Sequence, residues 1–287
     1  MGIMLFPPPH AATARAAVPP RTDLLVTTSL TPAPALEERA RMFAAELSVP
    51  FVPRRDEGLP RLFAAHPDAS RALLVQTHRL LLAARDGKAE LFYHPNMAFL
   101  RLGNLLRGGR DLLIEAGRIG SGDRVLDATL GYASEAILCA HVAGETGTVH
   151  GVEAVPELGV VVREGLQTVT TDHQALNAAM RRVRVVHLGH HLDFLRSCPA
   201  GSYDVICFDP FFPVVLPDSE TFAPLRAFGD HGALLPEAVA EARRVARRRV
   251  VVKAVRWDTT ALEALGVRER YDSKSGKVAY GVLSGSG

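Results

Sequence analysis

The chain has 287 residues, of which 47% are hydrophobic and 22% charged, so it has room for one large globular domain or two smaller ones. No apolar run approaches the roughly 20 residues that a membrane-spanning helix needs. The apolar residues 1–6 run into Pro7-Pro8-Pro9 with no preceding Lys or Arg, unlike a secretory signal. We therefore expect a cytoplasmic protein with no membrane partner. The net charge of +2 neither supports nor excludes an RNA substrate.

The first 93 residues divide into a tail and a small α/β unit. Residues 1–20 are rich in Pro and Ala without periodicity, which indicates a flexible tail. In residues 21–93 we expect a helix after Thr31 and Pro32, and strands at 23–28, 72–76, 80–84 and 89–93. The last two strands would form a hairpin across Asp86-Gly87. This unit would either recognise the substrate or cover an edge of the main domain.

The segment before the main domain contains two arginines beside a glycine pair. Residues 94–105 are interpreted as a connector that leads into Arg107-Gly108-Gly109-Arg110. Asp111 then caps a helix that runs through Ile119 and ends at Gly120 and Gly122. Arg107 and Arg110 would contact a phosphate or carboxylate of the substrate, or would simply lie in a solvated turn.

From Arg124 onward, apolar strands alternate with helices, as in a parallel sheet with helices on both faces. Strands are expected at 124–127, 148–153, 183–187, 203–209 and 249–253. Helices are expected at 134–142, 156–168 with an extension at 173–180, 191–197 and 236–246. Two final strands, near 267–271 and 277–283, are joined by too few residues for a crossover and must be antiparallel. This order is typical of class I methyltransferases, so we predict a Rossmann-like α/β methyltransferase domain at 94–287.

Three of the predicted strands end in an acid, namely Asp127, Glu153 and Asp209. Ligands of open α/β sheets bind at the carboxyl ends of the strands, so these acids should meet at one edge. Glu153 follows Asp127 by one strand–helix–strand unit, where a carboxylate can accept both hydroxyls of a ribose. The alternative is that Glu153 faces water or caps the helix at Pro156.

The turn after the first of these strands, residues 127–131, forms a cradle whose backbone N–H groups can meet a ligand. The chain has neither G-x-G-x-x-G nor G-K-[ST] there, and Asp127 would repel a pyrophosphate. The same acid would suit a sulfonium cation with an amino group, which favours S-adenosylmethionine over NAD or ATP. Asp127, Thr129 and Gly131 are therefore candidate cofactor-binding residues.

The stretch Asp209-Pro210-Phe211-Phe212-Pro213 follows a buried strand and resembles the Asp-Pro-Pro-Tyr and Asn-Pro-Pro-Tyr motifs of amino-group methyltransferases. The resemblance implies that Asp209 and the Pro210 carbonyl accept hydrogen bonds from an exocyclic amine and that Phe212 stacks on the base. Phe211, which replaces the second proline, would also contact substrate. The alternative is a Pro turn that leaves the sheet, with both phenylalanines in the core.

From about Asn96 to the C-terminus the chain resembles the family of small-subunit ribosomal RNA guanine-N2 methyltransferases and its uncharacterised bacterial relatives. The matching stretches are residues 107–110, 127–131, 209–213 and 249–253. The resemblance implies in-line methyl transfer from S-adenosylmethionine to guanine N2 in ribosomal RNA, with RNA as the partner. The chain has less glycine than that family at Tyr132-Ala133-Ser134, and its N-terminal unit does not match. Methylation of a small molecule or protein, and a non-catalytic nucleotide- or RNA-binding module, are the alternatives.

Several further polar residues have two interpretations each. Lys253, at the end of a strand, would touch substrate or extend to solvent. In the loop beside Glu153, Gly189 and His190 are expected to line the adenine pocket, with His187, Leu188, His191 and Asp193 as alternatives. No acid or cysteine set completes a metal site with the histidines, and the cysteines are expected to be free thiols: Cys139, Cys198 and Cys207. A run of arginines would be a solvated helix end or an RNA-facing patch: Arg243, Arg244, Arg247, Arg248 and Arg249.

Overall fold

The computed structural model describes residues 21–211, 223–273 and 276–287, and within them the chain forms two β-sheets. The smaller sheet and its helices come first in the chain: β1 (Leu24–Thr28), α1 (Pro34–Leu47), α2 (Leu59–Ala65), β2 (Arg71–Val75), β3 (Leu80–Ala84) and β4 (Glu90–Leu91). β1 pairs with β2 in parallel, and β2, β3 and β4 are antiparallel. None of the helices in the described residues combines the length and apolar character that a membrane span requires.

The larger sheet has the order β10-β11-β9-β8-β5-β6-β7. Its strands and the helices between them are α3 (Asn96–Leu106), α4 (Leu112–Gly117), β5 (Arg124–Asp127), α5 (Ser134–Ala143), β6 (Thr148–Glu153), α6 (Pro156–Thr168), α7 (Gln174–Arg182), β7 (Val183–Leu188), α8 (His191–Ser197), β8 (Tyr203–Phe208), α9 (Ala223–Phe228), α10 (Pro236–Val245), β9 (Ala246–Val255), α11 (Thr259–Ala264), β10 (Glu269–Asp272) and β11 (Val278–Ser284). The strands from β5 to β9 are parallel, and β11 is antiparallel to both of its neighbours. The predicted α/β sheet with a closing antiparallel pair is confirmed.

The order of the larger sheet reverses between β5 and β8. The chain runs outward from β5 through β6 to β7, then returns to the other side of β5 with β8 and β9. A crevice forms at such a switch point because the two crossovers leave on opposite faces. Successive residues of the central strands alternate between two hydrophobic clusters, as Val125 and Leu126 do, so the strands are buried on both faces.

The smaller sheet packs on the larger domain through one of its faces. Leu24, Val26 and Leu73 share a hydrophobic cluster with Leu158 and Val162 of α6, while the opposite face packs on α2. One hydrophobic core therefore runs through both sheets. The domain boundary predicted at residue 93 stays a prediction.

A buried carboxylate ties the two sheets together. Glu157, in the first turn of α6, has a fully buried side chain and accepts hydrogen bonds from Arg21 at 3.1 Å and Arg71 at 2.7 Å.

We expect Glu157→Ala to lower the free energy of unfolding by about 2–4 kcal/mol, because two arginines lose their shared partner. Urea denaturation measures this. Glu164→Ala, in the same helix, is the control: it removes a more exposed pair with Arg39 and should change stability by less than about 1 kcal/mol. Equal losses in the two variants would contradict the special role of Glu157.

Some predicted elements were wrong. Residues 94–105 are not a connector, because α3 begins at Asn96 and buries Ala98 and Leu102 one turn apart. The helix capped by Asp111 ends at Gly117 and excludes Ile119, because Arg118 takes a left-handed φ of 46°. The segment 173–180 is not an extension of the preceding helix but belongs to the separate helix α7. The short helices α2, α9 and α11 were not predicted.

Candidate functional site

The acids predicted at the strand ends lie around the crevice between β5 and β8. Asp127 ends β5, Glu153 ends the adjacent β6, and Asp209 directly follows β8. Glu153 and Asp209 line one cavity, whereas Asp127 is buried, with 2% of its surface exposed, and is not among the lining residues.

Asp127 holds the turn that follows it. Its carboxylate accepts hydrogen bonds from the backbone N–H groups of Thr129 and Ala136, both at 3.2 Å, and so ties the turn to the start of α5. Burial, reinforced by the charge of Glu135, raises the pKa of Asp127 to about 8. The Thr129 hydroxyl accepts a hydrogen bond from the Asp209 N–H at 2.6 Å, which joins the same turn to the end of β8.

Gly131 and Glu153 meet at the other side of the turn. Gly131 has a left-handed φ of 47°, and its N–H donates to the Glu153 carboxylate at 2.9 Å. The Val155 N–H donates to the second oxygen of Glu153 at 3.0 Å. Burial raises the pKa of Glu153 to about 7, against the lowering effect of these two N–H groups, and Asp230 adds to the rise. Glu153 therefore titrates near neutrality.

The cavity at this edge has a volume of about 440 Å³, within the range of small-molecule sites. Its walls come from the turn after β5, the ends of β6, β8 and β9, and the loop after α9. The lining residues are Met97, Ala128, Thr129, Leu130, Gly131, Tyr132, Ser134, Glu135, Glu153, Ala154, Leu158, His191, Asp209, Pro210, Phe211, Leu225, Arg226, Gly229, Asp230, Gly232, Leu234, Lys253, Lys277 and Val278.

A chain of alternating charges runs from Asp209 into the protein. Lys253 Nζ donates to Asp209 Oδ2 at 2.7 Å and to Glu135 Oε1 at 3.0 Å. Arg101 donates to the same Glu135 oxygen at 2.6 Å. It also forms a bidentate ion pair with Asp111, with both hydrogen bonds at 2.9 Å. Asp111 is in turn the N-cap of α4. We call these five residues the ion chain.

The opposite charges in the ion chain decide the protonation states of its members. Burial works to raise the pKa of Glu135, but Lys253 and Arg101 outweigh it and hold that pKa below its usual range. The carboxylates of Asp209 and Glu135 raise the pKa of Lys253 well above its ordinary value, although burial opposes this. Burial raises the pKa of Asp209, and Lys253 limits the rise.

The structure describes only the first part of the Asp209-Pro210-Phe211-Phe212-Pro213 stretch. Asp209, Pro210 and Phe211 line the cavity, and the ring of Phe211 stacks on His231 with 4.8 Å between centroids and 22° between planes. Gly229 packs against the same ring, since a Cβ there would lie 2.5 Å from it. Phe212 and Pro213 lie outside the described residues.

This architecture recurs in known proteins. A family model for putative SAM-dependent methyltransferases matches residues 62–277. The chain belongs to this family. It is a class I, S-adenosylmethionine-dependent methyltransferase with the Rossmann-like fold of that class.

Two similar proteins cover nearly the whole methyltransferase. The uncharacterized protein YpiP of Bacillus subtilis is 35% identical over 265 residues, which make up 91% of this chain and 100% of YpiP. The crystal structure of the SAM-dependent methyltransferase NGO1261 from Neisseria gonorrhoeae has a TM-score of 0.60 at 18% identity, over 92% of this chain and 96% of that chain. The second likeness is one of fold.

The residues of the methyltransferase around the cavity fit S-adenosylmethionine. The cavity is large enough for a nucleoside, and Glu153 places a carboxylate at its wall for hydroxyl donors. Gly131 leaves room at the turn, because a Cβ there would approach Leu225, another lining residue, to 3.3 Å.

Several predicted site residues lie elsewhere in the methyltransferase. Gly189 and His190 do not line the cavity: the Gly189 N–H donates to the Glu153 carbonyl at 2.8 Å, and His190 caps α8. Their neighbour His191 lines it instead, against Phe208, and burial lowers its pKa to about 4. Among the described residues, no His, Cys, Asp and Glu side chains converge as a metal site.

The arginines predicted to contact the substrate or RNA lie outside the cavity. Arg107 follows the end of α3, and Arg110, paired with Glu115, borders a second depression of about 310 Å³ that shares Val278 with the cavity. The five arginines of residues 243–249 lie near the start of β9, whereas Lys253 lies toward its other end. Four of them contact acids: Arg244 (Glu241), Arg247 (Asp204), Arg248 (Asp123) and Arg249 (Glu269).

The sequence interpretation missed three contributors to the cavity. The sequence does contain an indication of Glu135. It is an acid inside the apolar segment that forms α5, and a buried acid requires a partner. Met97 lay in the supposed connector. The loop after α9, with Gly229 and Asp230, has no periodic pattern that would have marked it.

Proposed function

We propose that the protein methylates an exocyclic amine of a base in RNA, with guanine N2 of ribosomal RNA as the target. The observation that carries this proposal is the position of Asp209 and Pro210, which line the same cavity as Glu153 and the Gly131 turn. A ribosomal RNA substrate implies that the protein acts in the cytoplasm.

In this proposal Glu153 accepts the ribose hydroxyls of S-adenosylmethionine, and the turn at Gly131 lies along the cofactor. Asp127 and Thr129 keep that turn in place through the hydrogen bonds described above. Gly189 and His190 support the adenine side of the pocket without lining it. Gly189 bonds to the end of β6, and His190 caps α8. When bound, S-adenosylmethionine supplies an electrophilic methyl group on a sulfonium.

Asp209 and Pro210 would hold the amine. Asp209 accepts an N–H of the amine, orients its lone pair along the line of transfer and stabilises the positive charge that develops on nitrogen. Its carboxylate can then accept the proton that the nitrogen loses as the new N–C bond forms. The Pro210 carbonyl accepts the second N–H. Phe211 forms an aromatic wall for the base, and Phe212 is the proposed stacking partner.

Basic residues near the cavity support an RNA substrate over a small molecule. Arg226 and Lys277 belong to the cavity wall, and the second depression extends the surface from Val278 to Arg110. Arg107 and Arg110 would contact backbone phosphates there. Lys253 acts within the site, through its contact with Asp209.

Ribosomal RNA from cells that lack the protein tests the substrate. The RNA is incubated with the purified protein and methyl-labelled S-adenosylmethionine, digested, and its nucleosides are measured by mass spectrometry. We expect labelled N2-methylguanosine at one position. This nucleoside should be absent from the RNA of cells without the protein and should return when the wild-type gene is restored. Label in a small-molecule or protein fraction, with none in RNA, would overturn the proposal.

A further inference from the structure

Glu135 places a carboxylate in an almost fully buried position, where an unpaired charge would be unstable. Its carboxylate is 9% exposed, and the eight buried residues of α5 are otherwise apolar apart from Ser134. A carboxylate there is stable only if it is paired. Both of its partners are cations from distant parts of the chain, Arg101 of α3 and Lys253 of β9.

Lys253 is held between two carboxylates. Its Nζ lies 3.0 Å from Glu135 and 2.7 Å from Asp209, so a long, flexible side chain is fixed at its tip from two directions. Without Glu135, Asp209 would be the one hydrogen-bond partner left to the ammonium group among the described residues. The position of Asp209 Oδ2 therefore depends on Glu135, to which it is linked through Lys253.

The ion chain also sets the charge beside the amine. With all five groups ionised, Asp209, Glu135 and Asp111 carry three negative charges against the two positive charges of Lys253 and Arg101. One negative charge remains uncompensated in the chain. Asp209, at its cavity end, can then stabilise positive charge on an acceptor nitrogen while it stays paired with Lys253.

We propose that Glu135 is a positioning residue for methyl transfer, which holds Lys253 against Asp209 and so fixes the carboxylate that receives the amine. This inference rests on the proposed function, because it takes Asp209 as the group that binds the amine. Glu135 acts through Lys253 and does not contact the reacting atoms.

Glu135→Gln tests the positioning role, because it keeps the shape of the side chain and removes its charge. We expect kcat to fall by about 10- to 100-fold while KM for RNA and the cofactor dissociation constant stay within about threefold of wild type. Glu135→Asp retains the charge and should recover part of the lost kcat. Glu145→Gln, an exposed residue just beyond α5, is the matched control and should leave all three constants unchanged. Unchanged kcat in Glu135→Gln, or equal losses in Glu135→Gln and Glu135→Asp, would overturn the proposal.

A titration of Lys253 gives a readout that does not depend on the substrate. Nitrogen-15 NMR of the lysine side chains, with Lys253→Met to assign the signal, should show a lower pKa for Lys253 in Glu135→Gln, because one of its two anions is gone. An unchanged pKa would show that Glu135 does not hold the ammonium group. If the wild type fails to methylate RNA, the proposed function fails, whereas the NMR result still decides whether Glu135 holds Lys253.

The pH profile of Lys253→Met separates positioning from simple structural support. Among the described residues, the titratable groups that interact with Asp209 are Lys253 from β9, Glu135 from α5, Arg101 from α3, Asp127 from β5 and Tyr280 from β11. Lys253 lowers the pKa of Asp209, so its loss must raise that pKa. Because the amine needs the ionised carboxylate, the acid limb of the kcat profile should move to higher pH, and activity should partly recover there. A uniform loss at every pH would indicate a structural role only and contradict the proposal.

Discussion

Asp209→Ala is expected to lower the rate of methyl transfer by about 10²- to 10³-fold, the usual effect of removing one group that stabilises charge in the transition state. The substitution removes the proposed acceptor of the amine and leaves the Thr129 hydroxyl, Gly131 and Glu153 in place. The dissociation constant for S-adenosylmethionine should therefore stay within about threefold of wild type. Single-turnover transfer of labelled methyl to RNA measures the first quantity, and calorimetry measures the second.

Two further variants make this result specific. Asp209→Asn keeps an acceptor oxygen of the same shape without the charge, so it should retain more transfer than Asp209→Ala. Asp86→Ala removes an exposed carboxylate in the hairpin turn after β3 and should change neither quantity. Transfer at the wild-type rate in Asp209→Ala would remove this residue from the reaction. A large loss of cofactor affinity would instead assign it to the cofactor site.

The larger sheet could be predicted because the sequence itself marks where several of its strands begin and end. β5 and β6 have the predicted bounds, and each ends in a buried acid that marks the end of the strand. The antiparallel contact between β10 and β11 followed from the shortness of the link between them. Family membership confirmed the fold and the cofactor that these patterns had indicated.

The ion chain could not be predicted, because it depends on contacts between distant segments. Arg101 and Glu135 are brought together only when α3 packs against α5, and residues 94–105 were interpreted as a connector. Lys253 reaches both Glu135 and Asp209 because β9 lies next to β8. Sequence spacing does not reveal which side of β5 the later strands occupy.

Asp127 shows a different limit of sequence reasoning. A strand-end acid was expected to face the cofactor, but its two oxygens are used by the N–H groups of Thr129 and Ala136. A carboxylate two residues before a tight turn is well placed to accept such bonds. The residue type therefore drew attention to this strand end but did not reveal that the acid is bonded to the turn itself.

The smaller sheet had two interpretations, substrate recognition or a cover for the main domain, and both stay open. Every lining residue among the described parts of the chain lies at Met97 or later. The smaller sheet instead covers α6, where Glu157 and the shared hydrophobic cluster attach it. Through β4 it also contacts α9, which carries the lining residues Leu225 and Arg226.

Glu153→Ala is expected to weaken cofactor binding by about 10- to 100-fold, because two hydroxyl donors would lose a charged acceptor. The wild-type affinity should also depend on pH. The pKa of Glu153 lies at about 7 before binding, and hydroxyl donors stabilise the ionised form, so the bound pKa must be lower. Affinity should therefore rise with pH up to about 7 and then level off, and it should fall by up to about tenfold per unit below that.

Glu153→Gln separates this titration from that of the ligand. The amide keeps an acceptor oxygen but cannot ionise, so the variant should bind more weakly than wild type at pH 8 and lack the Glu153-dependent part of the pH profile. Calorimetry from about pH 5.5 to 8.5 on both proteins gives the difference, in which the ligand's own ionisation cancels. Parallel profiles would mean that Glu153 stays in one protonation state throughout. Equal affinities at pH 8 would exclude its carboxylate from the ribose site and leave only its bonds to Gly131 and Val155 as its role.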